Sequence, residues 1–75
     1  MMKEEIRALL EEALPLVNLE SDFLFAELDS LGIATILMLL GEKYGISLDH
    51  SDATPRNFRS LDSLAAMVQS KLGRQ

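Results

Sequence analysis

The chain lacks cysteine altogether and has one histidine and two prolines among its 75 residues. Without cysteine, neither a disulfide nor a thiolate metal site can form. A catalytic triad needs a base, an orienting acid and an oxyanion hole in one shaped pocket, and so short a chain with one histidine rarely builds that. The composition therefore excludes disulfide-stapled folds and favours a protein that is not an enzyme.

Basic residues are also scarce: the chain has seven lysines and arginines and twelve acidic residues, so its formal net charge is −5. This balance disfavours nucleic acid and anionic membrane surfaces and favours a basic protein surface as partner. The longest apolar stretch, residues 31–40, is interrupted by Gly32 and Thr35 and has about half the length that spans a bilayer. Residues 1–5 show no secretory pattern. We expect a soluble, cytoplasmic protein with no membrane contact.

What the chain does contain is helical periodicity, in a composition that is 48% hydrophobic. We therefore expect an all-α fold, a small four-helix bundle with three main helices and one short helix, as a single monomeric domain over residues 1–75. The helices are expected at about 3–14, 30–44, 55–58 and 61–72, with a long loop over 15–29. Asp29 and Ser60 should cap the second and last helices, and Gly45 should end the second.

The loop over 15–29 is long for so small a domain, and such loops are uncommon unless they are functional or disordered. It is expected to be fixed to the core through several apolar residues: Leu16, Val17, Leu19, Phe23, Leu24, Phe25 and Leu28. Its charges are all negative: Glu20, Asp22, Glu27 and Asp29. The four aromatic residues are scattered and are therefore expected in the core, not as a platform for bases: Phe23, Phe25, Tyr44 and Phe58.

The first and second predicted helices each have apolar residues on one side that indicate how the helix packs. The first has one inward stripe, made of Ile6, Leu9, Leu10, Ala13 and Leu14. The second has an ordinary core stripe, made of Ile33, Ile36, Leu37, Leu40 and Tyr44, and a separate, mildly apolar strip, made of Leu31, Ala34, Thr35 and Met38. The strip either serves a partner that binds and releases or is simply buried on a second side of the helix. The solvent exposure of Met38 decides between the two.

The tripeptide Asp29-Ser30-Leu31 places a serine at the mouth of the second helix, after an acidic loop and before an apolar run. A hydroxyl there can be exposed while its backbone lies at the positive end of the helix dipole, where a phosphate is stabilised. This position suits a serine that another protein modifies better than one that performs chemistry itself.

In this frame of helices the chain resembles the acyl carrier proteins. The resemblance runs from Ile6 to Leu72. It rests on Asp29-Ser30-Leu31, on the helix end at residues 42–46 and on the order of the segments that follow, Ile46-Ser47-Leu48, Thr54–Phe58 and Ser60–Leu72. It implies that Ser30 receives a 4′-phosphopantetheine arm from a phosphopantetheinyl transferase that uses coenzyme A and a magnesium ion. The thiol of that arm would hold an acyl or aminoacyl group as a thioester.

The resemblance also implies roles for neighbouring residues and proteins. Asp29 and Leu31 would help to present Ser30, and partner contacts would come from Leu31, Ala34, Thr35, Met38, Glu27 and Glu42. The partners would be an acyl- or aminoacyl-activating ligase and downstream acyl-processing enzymes, in a fatty-acid-like, polyketide-like or specialised pathway of lipid metabolism.

The second helix departs from the fatty-acid type, in which it carries several acids. Here Gly32, Thr35 and Gly41 occupy the matching positions, Glu42 alone remains, and acidity has gathered in the upstream loop. This favours a stand-alone carrier for a specialised, ligase-loaded pathway, similar to the D-alanyl carriers, whose attachment motif is also followed by a glycine.

Three other interpretations compete. Ser63, in a second Leu-Asp-Ser-Leu run, is a decoy that helix capping explains. Asp49, His50 and Asp52 do not meet the ligand pattern of a zinc or calcium site, so no metal is expected. The rival function is a helical protein–protein interaction module that is never modified.

Overall fold

Residues 1–73 are described by a computed structural model, and within them three long helices pack around a single core. Helix α1 spans Met2–Ala13, α2 spans Ser30–Tyr44 and α3 spans Leu61–Leu72, while two short 3₁₀ helices span Leu24–Glu27 and His50–Asp52. No strand occurs in this described part of the chain. The expected all-α bundle is confirmed. None of the helices in residues 1–73 has the length and apolar character to cross a membrane.

Residues 55–58 form a turn, which differs from the short helix expected there. The N–H of Phe58 donates to the Thr54 carbonyl at 2.9 Å, and the N–H of Asn57 donates to the Thr54 hydroxyl at 3.0 Å. A single capped turn forms without propagating, because closing the first turn of a helix is costly and only further bonds offset that cost. Phe58 is nevertheless fully buried, as expected of the residue that anchors this segment.

The core draws on all three helices and on both connections. Its buried members are Ile6, Leu10, Leu19, Leu24, Ile36, Leu37, Leu40, Ile46, Phe58, Leu61, Leu64, Met67 and Val68. On α1 the inward stripe is narrower than expected, since Leu9 and Leu14 are half-buried and Ala13 is exposed. The small side chain of Ala13, at the last residue of α1, therefore leaves open space beside the helix end.

The long connection between α1 and α2 is fixed to the core by two buried residues and by several half-buried ones. Leu19 and Leu24 are buried, and the N–H of Leu24 donates to the carbonyl of Arg59 at 2.7 Å, which ties this loop to the segment before α3. Three half-buried apolar residues of the loop also pack against the core: Val17, Phe25 and Leu28. Two others do not. Leu16 is 99% exposed and Phe23 is 45% exposed, so the expectation that both lie in the core was wrong.

Both ends of α2 are set by local chemistry. At its start, the carboxylate of Asp29 accepts the N–H of Gly32 at 2.7 Å, and the Asp29 carbonyl accepts the N–H of Ile33 at 3.0 Å. At its end, Gly45 adopts a left-handed conformation with φ of 64°, which costs a residue with a side chain more than it costs glycine. The helix therefore has one defined beginning, immediately before Ser30.

A side-chain hydrogen bond joins α2 to α1. The hydroxyl of Tyr44 donates to a carboxylate oxygen of Glu5 at 2.9 Å. Burial of the ring, followed by this bond and the negative charge of Glu5, raises the pKa of Tyr44 to about 12. All three effects favour the protonated phenol.

The phenolate absorbance of the only tyrosine should therefore titrate near pH 12 instead of 10. Between these values the unfolded chain has lost its phenol proton while the folded chain retains it, so the free energy of unfolding falls as pH rises across this window. Glu5→Gln should lower the midpoint without restoring 10, because burial is the larger cause. The matched control Glu12→Gln should leave it unchanged. A wild-type midpoint at 10 would show that neither burial nor Glu5 acts on the Tyr44 hydroxyl.

The cap on α2 gives a second test. Asp29→Ala should lower the free energy of unfolding by about 0.5–2 kcal/mol, because one helix-terminal N–H loses its acceptor. Asp29→Asn should retain most of that stability, since asparagine caps equally well. Urea denaturation measures both, with Asp22→Ala, an exposed acid in the same loop, as control. Equal effects of the alanine variants at positions 22 and 29 would rule out a capping role.

Candidate functional site

Ser30 is the first residue of α2 and is exposed. Within residues 1–73 its hydroxyl has no hydrogen-bond partner. The N–H groups of Ser30 and Leu31 belong to the first helical turn and have no acceptor within the helix. Together with the helix dipole they give this end of α2 a partial positive charge. The position thus offers a reachable hydroxyl beside two amide donors that an anionic group can use.

Ser63, the competing serine, is in the opposite situation. Its hydroxyl oxygen accepts the N–H of Ser60 at 2.9 Å, and its proton is directed between the carbonyls of Asn57 at 2.7 Å and Ser60 at 2.8 Å. The Ser60 hydroxyl in turn accepts the N–H of Ser63 at 3.3 Å. Modification of this half-buried hydroxyl would dismantle the cap of α3.

Beside Ser30, α2 presents its apolar strip to solvent. Leu31 is 75% exposed and Met38 is 55% exposed, and Ala34 between them is exposed as well. These residues lie about one helical turn apart, so they share a face with Ser30. Of the two interpretations of the strip, the one in which this side of α2 is buried is therefore wrong.

Two other expected site residues lie at the margins of this face. Thr35 is half-buried, and its hydroxyl donates to the carbonyl of Leu31 at 2.8 Å, so its side chain is committed to the helix. Glu42 is exposed, but it follows Ser30 by twelve residues, which is about 18 Å along a helix. It is therefore outside the immediate surroundings of the serine.

The acids of the upstream loop have unequal roles. Glu20 forms hydrogen bonds with Arg7 at 2.8 and 3.2 Å, and this contact holds the pKa of Glu20 below its usual value. Asp29 is committed to the cap of α2. Within residues 1–73, the carboxylates of Asp22 and Glu27 are exposed and have no ion-pair partner. Only these two loop acids are therefore available to a partner.

The acidic segment before α3 is explained by capping. Asp49 accepts the N–H of Ser51 at 2.9 Å and the Ser51 hydroxyl at 2.5 Å, which lowers the pKa of Asp49. Asp52 accepts the N–H of Asp49 at 3.0 Å and pairs with Lys71 at 3.0 Å. In the part of the chain that the structure describes, no group of three histidine, aspartate or glutamate side chains is arranged to hold a metal.

An open groove of about 570 Å³ is lined by both chain neighbours of Ser30, Asp29 and Leu31, and the sequence did not predict it. It lies between the end of α1, the last residues of the loop and the first turns of α2. Its lining residues are Ala13, Leu14, Val17, Ala26, Glu27, Leu28, Asp29, Leu31, Gly32 and Thr35. The sequence held one indication of it, the small Ala13 on a face otherwise lined by leucine and isoleucine.

Comparison with known proteins gives one result that covers the chain. A family model described as "phosphopantetheine attachment site" matches residues 3–69, which is nearly the whole sequence. No curated protein and no solved structure matches significantly. Both the matched span and the helical architecture agree with the carrier fold. The chain therefore belongs to the family of phosphopantetheine-carrying domains that includes the acyl carrier proteins, and its prosthetic group is a covalent 4′-phosphopantetheine.

Proposed function

We propose that Ser30 is the residue to which the arm is attached, and that the protein is a non-catalytic carrier of an acyl or aminoacyl thioester. The observation that supports this most strongly is the Ser30 hydroxyl at the start of α2, which is exposed and has no hydrogen-bond partner within residues 1–73. The bonded state of the Ser63 hydroxyl supports the same choice, because the alternative serine is held in a cap.

The surroundings of Ser30 fit a phosphodiester. An oxygen of the phosphodiester can accept a hydrogen bond from the N–H of Ser30 or Leu31, and the helix dipole favours the negative charge of the phosphodiester. Asp29 is close enough to repel an anion, but its carboxylate is turned to the N–H of Gly32. The cap thus holds the helix terminus in place, and the hydrogen bond to Gly32 offsets part of the negative charge of Asp29.

Attachment is a displacement at phosphorus that a transferase performs. The Ser30 hydroxyl loses its proton to a base of the transferase, and its oxygen forms the new phosphoester bond. The phosphoanhydride bond of coenzyme A breaks, and adenosine bisphosphate leaves. The arm supplies the thiol that a chain without cysteine lacks, and that thiol carries the cargo as a thioester.

Partner enzymes would dock on the exposed strip of α2. Leu31, Ala34 and Met38 offer apolar contact, and the flexible methionine suits partners that bind in turn and release. Glu27 lies beside the start of α2 and adds negative charge at one side of this strip, whereas Asp22 lies near the start of α3. A fitting partner therefore has an apolar patch with basic residues at its edge. Thr35 and Glu42 border this surface. Partners of this kind are the phosphopantetheinyl transferase, a ligase that loads the cargo and the enzymes that process it.

The specialised, ligase-loaded pathway remains the preferred context over general fatty acid synthesis. Glu42 is the only exposed acid on α2, and Glu20 of the loop is occupied by Arg7. Recognition therefore depends on apolar contact and on two loop carboxylates, which is a narrow basis for serving many basic partners.

Intact mass spectrometry tests the attachment residue. Incubation with coenzyme A and a broad-specificity phosphopantetheinyl transferase should add one phosphopantetheine to the wild-type chain. Ser30→Ala should abolish the gain, because the accepting oxygen is removed. The matched control Ser63→Ala should still be modified, provided circular dichroism shows that α3 remains folded.

Each contrary outcome has a distinct meaning. No gain in the wild-type protein would favour the unmodified interaction module. A gain that persists in Ser30→Ala would place the arm on another residue.

Charge reversal tests the recognition surface. Asp22→Lys with Glu27→Lys should lower kcat/KM of the transferase about 2- to 30-fold at low salt, since exposed ion pairs contribute about 0.2–1 kcal/mol each. The deficit should shrink as salt screens the charges. Glu11→Lys with Glu12→Lys changes the net charge equally on another exposed surface and should have a smaller effect. Equal deficits in the two double variants would show that only net charge matters.

A further inference from the structure

Met38 is the one residue of the α2 strip that contains a sulfur atom. The chain has four methionines and no cysteine, so thioethers are its only sulfur groups before an arm is attached. We propose that Met38 is a site of reversible oxidation and that its sulfoxide weakens the docking of enzymes at Ser30, an inference that rests on the proposed attachment there. A carrier that is oxidised at this residue is less available for modification and loading.

Exposure separates Met38 from the methionines that lie in or against the core. Met38 is 55% exposed, whereas Met67 is 5% exposed and belongs to the core, and Met2 packs against that core. Met1 is exposed as well, but it precedes α1 and is not part of the strip. Because a peroxide must reach the sulfur atom, Met38 and Met1 are the methionines that should react first.

Oxidation of Met38 should leave the fold intact. Within residues 1–73, Met38 is neither one of the buried residues of the core nor one of the half-buried residues that pack against it. A sulfoxide on Met67 would instead place a polar oxygen in the core, which costs free energy when that oxygen has no hydrogen bond. The modification at Met38 therefore changes the surface that partners contact and not the packing of the bundle.

The sulfoxide oxygen would have no side-chain hydrogen-bond donor beside it on α2. The residues one turn away on this helix are Ala34, Thr35, Gly41 and Glu42. The hydroxyl of Thr35 already donates to the Leu31 carbonyl at 2.8 Å, and the ionised carboxylate of Glu42 can only accept. Water therefore solvates the oxygen in the free protein. A partner that covers the strip with an apolar patch removes this water without replacing its hydrogen bonds, so docking becomes weaker.

Met38 is close enough to Ser30 to be covered by the same partner. It follows Ser30 by eight residues, which is about 12 Å along a helix. A protein interface of standard size buries about 800 Å² on each side, which is the area of a circle with a radius of about 16 Å. An enzyme whose interface is centred on Ser30 therefore also reaches Met38.

The modification transfers one oxygen atom from a peroxide to the thioether. A lone pair of the Met38 sulfur forms the S–O bond while the O–O bond of hydrogen peroxide breaks and water leaves. The sulfur is oxidised and the peroxide is reduced. A methionine sulfoxide reductase reverses the step. Two thiols of the reductase are oxidised to a disulfide, and the sulfoxide oxygen leaves as water.

Peroxide treatment of the apo-protein tests the proposal, since the arm would add a thiol that peroxide also oxidises. Untreated wild-type and Ser30→Ala proteins are first assayed with the transferase, so that a failure of attachment is detected separately. Peptide mass spectrometry should then show oxidation of Met38 well before that of Met67. After removal of peroxide, kcat/KM of the transferase for the oxidised carrier should be about 5- to 150-fold lower, because a polar group is buried without a hydrogen bond. Treatment with the reductase should restore it.

Met38→Leu is the matched control, because leucine presents apolar surface of similar size without a sulfur atom. Whatever its starting value, kcat/KM of this variant should be the same before and after peroxide, even though Met1 is oxidised in both proteins. Oxidation of Met38 no faster than that of Met67 would overturn the proposal. An oxidised wild-type protein that is modified as fast as the untreated one would also overturn it, as would an equal loss in the oxidised Met38→Leu protein.

Discussion

The hydrogen bond between the carboxylate of Asp29 and the N–H of Gly32 fixes where α2 begins. It makes Ser30 the first residue of the helix instead of its cap, and the exposure of the Ser30 hydroxyl follows from that position. Because aspartate occupies the capping position, the serine that follows it is free of that task. In α3 the register is different: Ser60 is the cap, and Ser63 reaches back to the Ser60 N–H. Two nearly identical sequence runs thus contain one available hydroxyl and one that is locked, because they sit differently relative to a helix start.

A second constraint acts through the loop that precedes this helix. The 16 residues 14–29 between α1 and α2 contain no long helix and would ordinarily be mobile, but Leu19 and Leu24 are buried and hold the loop against the bundle. Val17, Phe25 and Leu28 pack against the same core, and the loop surface that stays exposed can be used for recognition. The same arrangement sets one wall of the groove, because Leu28 is carried close to α2 where Gly32 leaves room for it. The fold therefore builds the neighbourhood of Ser30 from the loop as much as from the helix.

Local rules made much of this structure predictable. Asp29, Ser60 and Gly45 act at helix ends as their side chains and backbone preferences require, and the periodicity of apolar residues defined the all-α fold. Features that depend on distant neighbours were not accessible. Nothing in the sequence shows that Arg7 would occupy Glu20 across thirteen residues, or that Phe23 would remain partly in solvent. The groove could not be predicted either, because its shape depends on how α1, the loop and α2 pack together. The choice of Ser30 over Ser63 rested on capping patterns, and the side-chain bonds of Ser63 now add an independent physical reason.

The bond from the Leu24 N–H to the Arg59 carbonyl has a mechanical consequence. Displacing the loop outward would require breaking this bond and withdrawing a fully buried side chain, so the segment that leads to Ser30 and the segment that leads to α3 should open together as one cooperative unit. A pull exerted at Ser30 would thus reach the opposite end of the bundle without passing along α2. The amide proton of Leu24 exchanges with solvent only after that opening. Its exchange rate therefore reports how stable the contact between the two connections is.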